Sequence, residues 1–154
     1  MPFNEFEGND SWGYNPSFYF ATDKAYGTGR DYKEFIDACH QNGIAVIMDM
    51  VLNHSYGQSP LVRMYQNANG TPSSANPWYN TTSPNQTYSW GYDFNHESQY
   101  TRQFIDSVCA YWMQEYKIDG FRFDFTKGFT NNPGDGWHYD QQRIDILKRI
   151  AAQI

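Results

Sequence analysis

The sequence predicts an α/β fold built on parallel strands. Three observations point there. Helical spacing recurs in three separate segments, the run Ile44–Leu52 (IAVIMDMVL) is apolar without a breaker, and a second strand-like run, IDGFRFDF, follows the middle helical segment. Strands alternating with helices mean parallel strands joined by right-handed crossovers.

Residues 1–25 read as irregular, rich in aromatics, Asn and Gly. The first helix is expected over 31–42. There Tyr32, Phe35, Ile36 and Cys39 recur at helical spacing, with Asp31 as N-cap and Gly43 just past the end. The length and branched residues of Ile44–Leu52 fit a strand covered on both faces. Residues 53–97 hold Gly57, Pro60, Gly70, Pro72, Pro77 and Pro84 and the clusters NANGTPSSANP and NTTSPNQT, so residues 54–97 are expected to protrude as a long loop. Loops of that length inside a compact domain are usually functional. The second helix is expected over 98–117 with Ile105, Val108, Trp112 and Tyr116 on one face, then a strand over 118–125. The last helix is expected over 140–154, with Ile144, Leu147, Ala151 and Ile154 in register. Two clear strands do not complete a parallel sheet, so residues 1–154 are expected to be an excerpt of one larger domain, packed against the remainder of its own sheet.

Composition narrows the partners. The net charge is −6 with 11 Lys and Arg, and no basic stripe is present, which speaks against nucleic acid. Mean hydropathy is −0.78 and no run approaches the ~18 apolar residues of a membrane helix. Met1-Pro-Phe-Asn-Glu lacks the basic stretch and apolar core of a signal peptide, so a soluble chain of open compartment is expected. Cys39 and Cys109 lie on apolar helix faces and read as buried thiols. Aromatics reach 19%, with 5 Trp, 13 Tyr and 11 Phe. Many belong in a core, yet such rings also line grooves and pack on the flat C–H faces of sugars.

Strand parity locates the chemistry. In IDGFRFDF, Phe121, Phe123 and Phe125 point one way and Gly120, Arg122 and Asp124 the other. Three Phe against helices are ordinary packing. An Arg and an Asp on the opposite face want each other, because a buried charge is costly unless paired. Both stand at the C-terminal end of a parallel strand, where barrels and open α/β sheets place their active sites. The bland account is a core salt bridge. The first strand repeats the pattern: Ile47, Asp49, Val51 and Asn53 share a face, His54 opens the loop, and Arg122 is the evident partner for Asp49.

MDMVLNH followed by DGFRFDFTK resembles the α-amylase family of glycoside hydrolases, which includes amylases, pullulanases and glucan-branching enzymes. The opening MPFNEFEGNDSWGYNPSFYF and the segment DFNHES are similar to that family as well, so the resemblance spans essentially the whole chain. It implies part of a (β/α)₈ TIM barrel, from the end of the second strand through the fourth helix, with the long excursion after the third strand. It implies retaining cleavage of α-glucosidic bonds in starch- or glycogen-like α-glucans. By position, Asp124 would be the nucleophile and Arg122 the residue that positions it. Asp49 would be the supporting aspartate, His54 a hydrogen-bond partner of the sugar, and Tyr14 the ring stacked on it. Lys127 would serve the leaving-group side, or else be a solvated surface residue.

Two departures qualify the resemblance. Gly128 stands where calcium-dependent amylases often place a histidine. Asp93, Asn95 and Glu97 alternate oxygen donors but lack the features of a calcium loop, and capping of the next helix accounts for them better. No cofactor is required on this reading, and calcium is left open without being predicted. Retaining glycosidases also need a second carboxylate as acid/base, and in this family it follows a later strand. None of Glu5, Glu7, Glu34, Glu97 and Glu115 suits that place. Transglycosylation, as in branching enzymes, and a non-catalytic carbohydrate-binding relative remain alternatives.

Overall fold

The structure, a computed structural model, describes residues 1–154. In chain order its elements are β1 (Asn4–Phe6), β2 (Pro16–Thr22), α1 (Gly29–Gln41), β3 (Ile47–Val51), β4 (His54–Ser55), α2 (Pro60–Met64), β5 (Tyr92–Asp93), α3 (Gln99–Glu115), β6 (Gly120–Asp124) and α4 (Gln141–Ala151), with a 3₁₀ turn over Thr126–Gly128.

β3 and β6 form the parallel pair, in a register that sets Asp49 beside Arg122 and Val51 beside Asp124. Parallel neighbours need a long crossover, and here it contains the excursion and α3. Met48, Met50, Phe121 and Phe123 face the core, with the two Phe rings stacked 5.4 Å apart. The other face is not covered: Ile47 is 61% exposed. The expectation of a β3 strand buried on both sides is corrected on that point, because no layer of these residues lies over Ile47 and Arg122.

α3 is the central packing element. Ile105, Val108, Cys109 and Trp112 are buried along one face, and the Trp112 indole N–H donates to the Tyr19 carbonyl at 2.8 Å, fastening α3 to β2. Burial pushes the Cys109 thiol up to about 12, which leaves it inert as a nucleophile. No helix is long and apolar enough to cross a membrane.

Several expectations are revised. The first 25 residues are not irregular throughout. β1 and β2 pair antiparallel there, but register shifts on both sides of Glu5 break the alternation that would have revealed them. In α1 the N-cap is Thr28, and Asp31 is the third helical residue, closing a capping box with it. Tyr32 and Ile36 are buried, whereas Phe35 is 60% exposed and Cys39 half-buried. In α4 the buried pair is Ile146 and Ile150 with Leu147 packed beside them, while Ala151 and Ile154 are exposed. A terminal helix with apolar residues on two sides leaves its phase to the surface it meets.

Residues 53–97 contain only β4, α2, β5 and two isolated bridges. Side chains hold the segment instead. The buried Asp93 accepts from Asn80 Nδ2 at 2.8 Å and Ser83 Oγ at 3.3 Å, and Asn80 also donates to Asn131, which donates to Asn95. His96 lies stacked on Phe129, and its Nε2–H donates to the Leu52 carbonyl at 2.9 Å, fixing the exit of β3.

Burial raises Asp93 to about 7 against the weaker pull of its Asn80 and Ser83 donors. Burial also lowers His96 to about 3, opposed by its Leu52 bond. The signs are opposite. Asp93 contributes stability that is full below its unfolded value near 4 and is lost as pH rises through about 7. His96 contributes stability that is full above its unfolded value near 6.5 and is lost as pH falls toward about 3. In denaturant unfolding from pH 4 to 7, Asp93→Asn is therefore expected to make stability rise more steeply with pH than the parent. The added slope is up to about 1.4 kcal/mol per pH unit. His96→Gln is expected to change the slope in the opposite direction.

Candidate active site

The open ends of β3 and β6 carry a three-residue ionic cluster. Arg122 Nη1 donates to Asp49 Oδ1 at 2.7 Å and forms an ion pair with Asp124 Oδ1 at 2.9 Å, so a single nitrogen bridges the two strands' carboxylates. The alternation of β6 puts Arg122 and Asp124 on one face, and the parallel register brings Asp49 alongside. The other Asp49 oxygen accepts from the Tyr14 hydroxyl at 2.8 Å. That bond, with burial second, raises the Tyr14 phenol above its ordinary value. The same Asp49 contact raises the Arg122 guanidinium, which is charged at any working pH.

His54 follows directly. Its Nε2–H donates to the Tyr14 carbonyl at 3.0 Å, and its Nδ1 accepts from Asn53 Nδ2 at 3.0 Å. Burial lowers its pKa despite the Tyr14 bond and the nearby Asp124 charge, so the ring is neutral with Nε2 protonated.

These groups open onto a cleft of about 410 Å³ lined by Ser11, Trp12, Tyr14, Asn15, His54, Tyr56, Trp90 and Asp124. Trp12 is 77% exposed. The cleft draws on the segment before β2, the exit of β3, the excursion and the end of β6. Asp49 and Arg122 stand beneath it, reaching it through Tyr14 and Asp124. Strand reasoning did not single out Tyr56 or Asn15. Neither belongs to a periodic element, and only the aromatic richness of the flanking loops signalled them.

The strand ends at Asp124. Phe125 takes a left-handed backbone, φ 45°, which breaks the alternation. Its ring packs edge-on to Trp90 at 4.9 Å and against Tyr88 at 6.0 Å, rather than against helices as its parity predicted. A non-Gly residue in that conformation costs about 1–2 kcal/mol. Lys117, the other such residue, merely ends α3. The 3₁₀ turn after Phe125 carries Lys127 out of the cleft: its ammonium lies over the Trp137 ring, and it borders a separate polar pocket with Thr130, Asp140 and Arg143.

Asn53 Oδ1 is buried without a donor, but it abuts Gly128 so closely that an added Cβ would sit 1.7 Å away. Asp93 is engaged by Asn80 and Ser83. Asn95 accepts from the Glu97 N–H, leading the chain into the Ser98 cap of α3. No three His, Cys, Asp or Glu side chains converge. None of the five Glu residues lines the cleft.

Parallel strands with a carboxylate cluster at their C-terminal ends define an α/β protein, of the barrel or the open-sheet kind. Comparison with known proteins agrees. The model of the alpha-amylase catalytic domain matches residues 2–91. The 1,4-alpha-glucan branching enzyme GlgB of Aliivibrio fischeri is 32% identical over the whole chain, which covers 22% of that enzyme. The pullulanase of Bacillus subtilis is 31% identical over 80% of the chain, covering 19% of that protein. The structure of Eubacterium rectale Amy13B superposes over 99% of the chain and 33% of its own, with a TM-score of 0.77 and 25% identity. The chain belongs to the α-amylase family and carries part of its barrel fold. It spans about a fifth of the length of the branching enzyme and pullulanase it matches.

Gly91 fixes the cleft wall. It has φ 55°, and an added Cβ would lie 2.3 Å from the Ser55 carbonyl oxygen, at the β4–β5 pairing next to Trp90. Gly91→Ala is expected to lower stability by about 2 kcal/mol or more, read by denaturant unfolding.

Proposed function

We propose that these residues form the nucleophile half of a retaining glycosidase site acting on α-glucans of the starch and glycogen type. The observation that carries this reading is the single Arg122 nitrogen shared by Asp49 and Asp124 at the mouth of an aromatic cleft. The span runs from the end of the second barrel strand through the fourth helix, with residues 54–97 as the protruding loop beside the cleft. The remaining partner is the rest of the same barrel. Neither nucleic acid nor membrane enters this reading.

In the proposed reaction the free Asp124 oxygen attacks the anomeric carbon as the bond to the glucosidic oxygen breaks. The leaving oxygen takes its proton from a carboxylic acid supplied from outside these residues. Water, or a hydroxyl of a second glucan chain, then attacks the glycosyl ester and releases Asp124. Arg122 occupies the other Asp124 oxygen and so fixes the carboxylate's orientation. Asp49 anchors Arg122 and Tyr14 together. Tyr14 offers its ring face to the sugar, and neutral His54 beside it would hydrogen-bond the sugar by exchanging its Nε2–H bond to the Tyr14 carbonyl for one to a sugar hydroxyl, its Nδ1 staying on Asn53. Lys127, now over the Trp137 ring, would serve the leaving-group side only if the turn after Phe125 moved. No cofactor is needed for these steps.

The branching-enzyme relative favours transfer to a second glucan as the other outcome of the same intermediate. Both outcomes use the same Asp124.

In the complete enzyme containing these residues, Asp124→Asn is expected to abolish nearly all release of reducing sugar from starch, or of branches from amylose. Residues 1–154 alone are expected to show no turnover, since a missing general acid alone forfeits about 10²–10⁴-fold. An active Asn variant, or robust turnover by residues 1–154, would refute the assignment.

A further inference from the structure

Phe125 follows Asp124 directly and holds a backbone conformation that a bulky side chain ordinarily avoids. Such outliers persist only where their surroundings over-determine them, and they gather at functional sites. The surroundings here are specific. Trp90 meets the Phe125 ring edge-on at 4.9 Å and 83°, and Tyr88 meets both, at 6.0 Å to Phe125 and 6.1 Å to Trp90. Trp90 also packs against His54 at 6.1 Å. Trp90 itself is pinned by Gly91, whose positive φ lets the backbone close onto Ser55. The excursion thus grips the residue that sets the direction of the chain as it leaves the nucleophile.

We propose that Trp90 is a positioning residue for Asp124, acting through the left-handed backbone of Phe125. The inference rests on the reading of Asp124 as nucleophile. If the ring contacts were lost, Phe125 would relax toward an extended backbone. The Asp124 carboxylate would then turn relative to the Arg122 nitrogen that orients it. Misplacement of a reacting group by about 1 Å costs on the order of 10²-fold in rate.

The test is a double-mutant cycle in the complete enzyme with soluble starch, reading kcat and KM separately. Trp90→Ala and Phe125→Ala are each expected to lower kcat about 10- to 100-fold with KM changed less than about threefold. The double variant should be no slower than the slower single one, since both break the same contact. Trp90→Phe should restore most of kcat. Phe125→Gly should lose less than Phe125→Ala, because glycine reaches φ near +45° without strain although its side chain is smaller. If Trp90→Ala does not fold, Trp90→Leu takes its place in the cycle with the same expectations.

Additive losses, a Trp90→Ala effect confined to KM, or a Phe125→Gly variant no better than Phe125→Ala would each overturn the proposal. Asp124→Asn is assayed alongside. If it stays active, the nucleophile reading falls and this inference with it. If it is dead while the cycle is additive, only this inference falls.

Discussion

One guanidinium nitrogen joins two strands. Arg122 Nη1 reaches Asp49 on β3 and Asp124 on β6, and the rest of the site is arranged around that bridge. A paired charge next to an open cleft is tolerable because it is only partly desolvated; the Arg122 side chain is 57% exposed. Such a pair adds little to stability by itself. Its consequence is geometric: with one oxygen of each carboxylate committed, Asp49 turns its second oxygen to Tyr14, while Asp124 stands in the cleft lining.

The apolar side of the same two strands supplies rigidity. Met48, Met50, Phe121 and Phe123 anchor β3 and β6 to a core centred on Trp112, so the ionic cluster stands on a packed base. The excursion supplies the wall. It lacks extended secondary structure, and is held by the Asp93–Asn80–Asn131–Asn95 chain and by tight approaches at Gly91 and Gly128. Short polar side chains replace a backbone ladder there, which explains why a segment so rich in Asn, Ser and Gly is ordered.

Period-2 alternation made the ionic cluster legible: Arg122 and Asp124 had to share a face, and Asp49 was the acidic residue at the matching place in the other strand. The α3 core was equally legible from its spacing. The β1–β2 pair was hidden because its bulges scramble parity. The cap of α1 was displaced because Thr28 and Asp31 satisfy each other's role, and either fits an N-cap by residue type. The phase of α4 depended on the surface it meets. Phe125 obeyed the strand pattern in sequence but left it in space, because contact with Trp90 and Tyr88, more than thirty residues away, outweighs local preference. Tyr56, Asn15 and the fate of Lys127 depend on loop paths that no period encodes.

The central claim is that Asp124, oriented by the shared Arg122 nitrogen, bonds to the sugar. The most direct measurement traps that bond. The complete enzyme is inactivated with a fluorinated α-glucosyl fluoride, digested with a protease and mapped by mass spectrometry. The account predicts one glycosyl mass on the peptide containing Asp124, released slowly by water as an ester would be. A label on the Asp49 peptide, or inactivation without any label at Asp124, would contradict it.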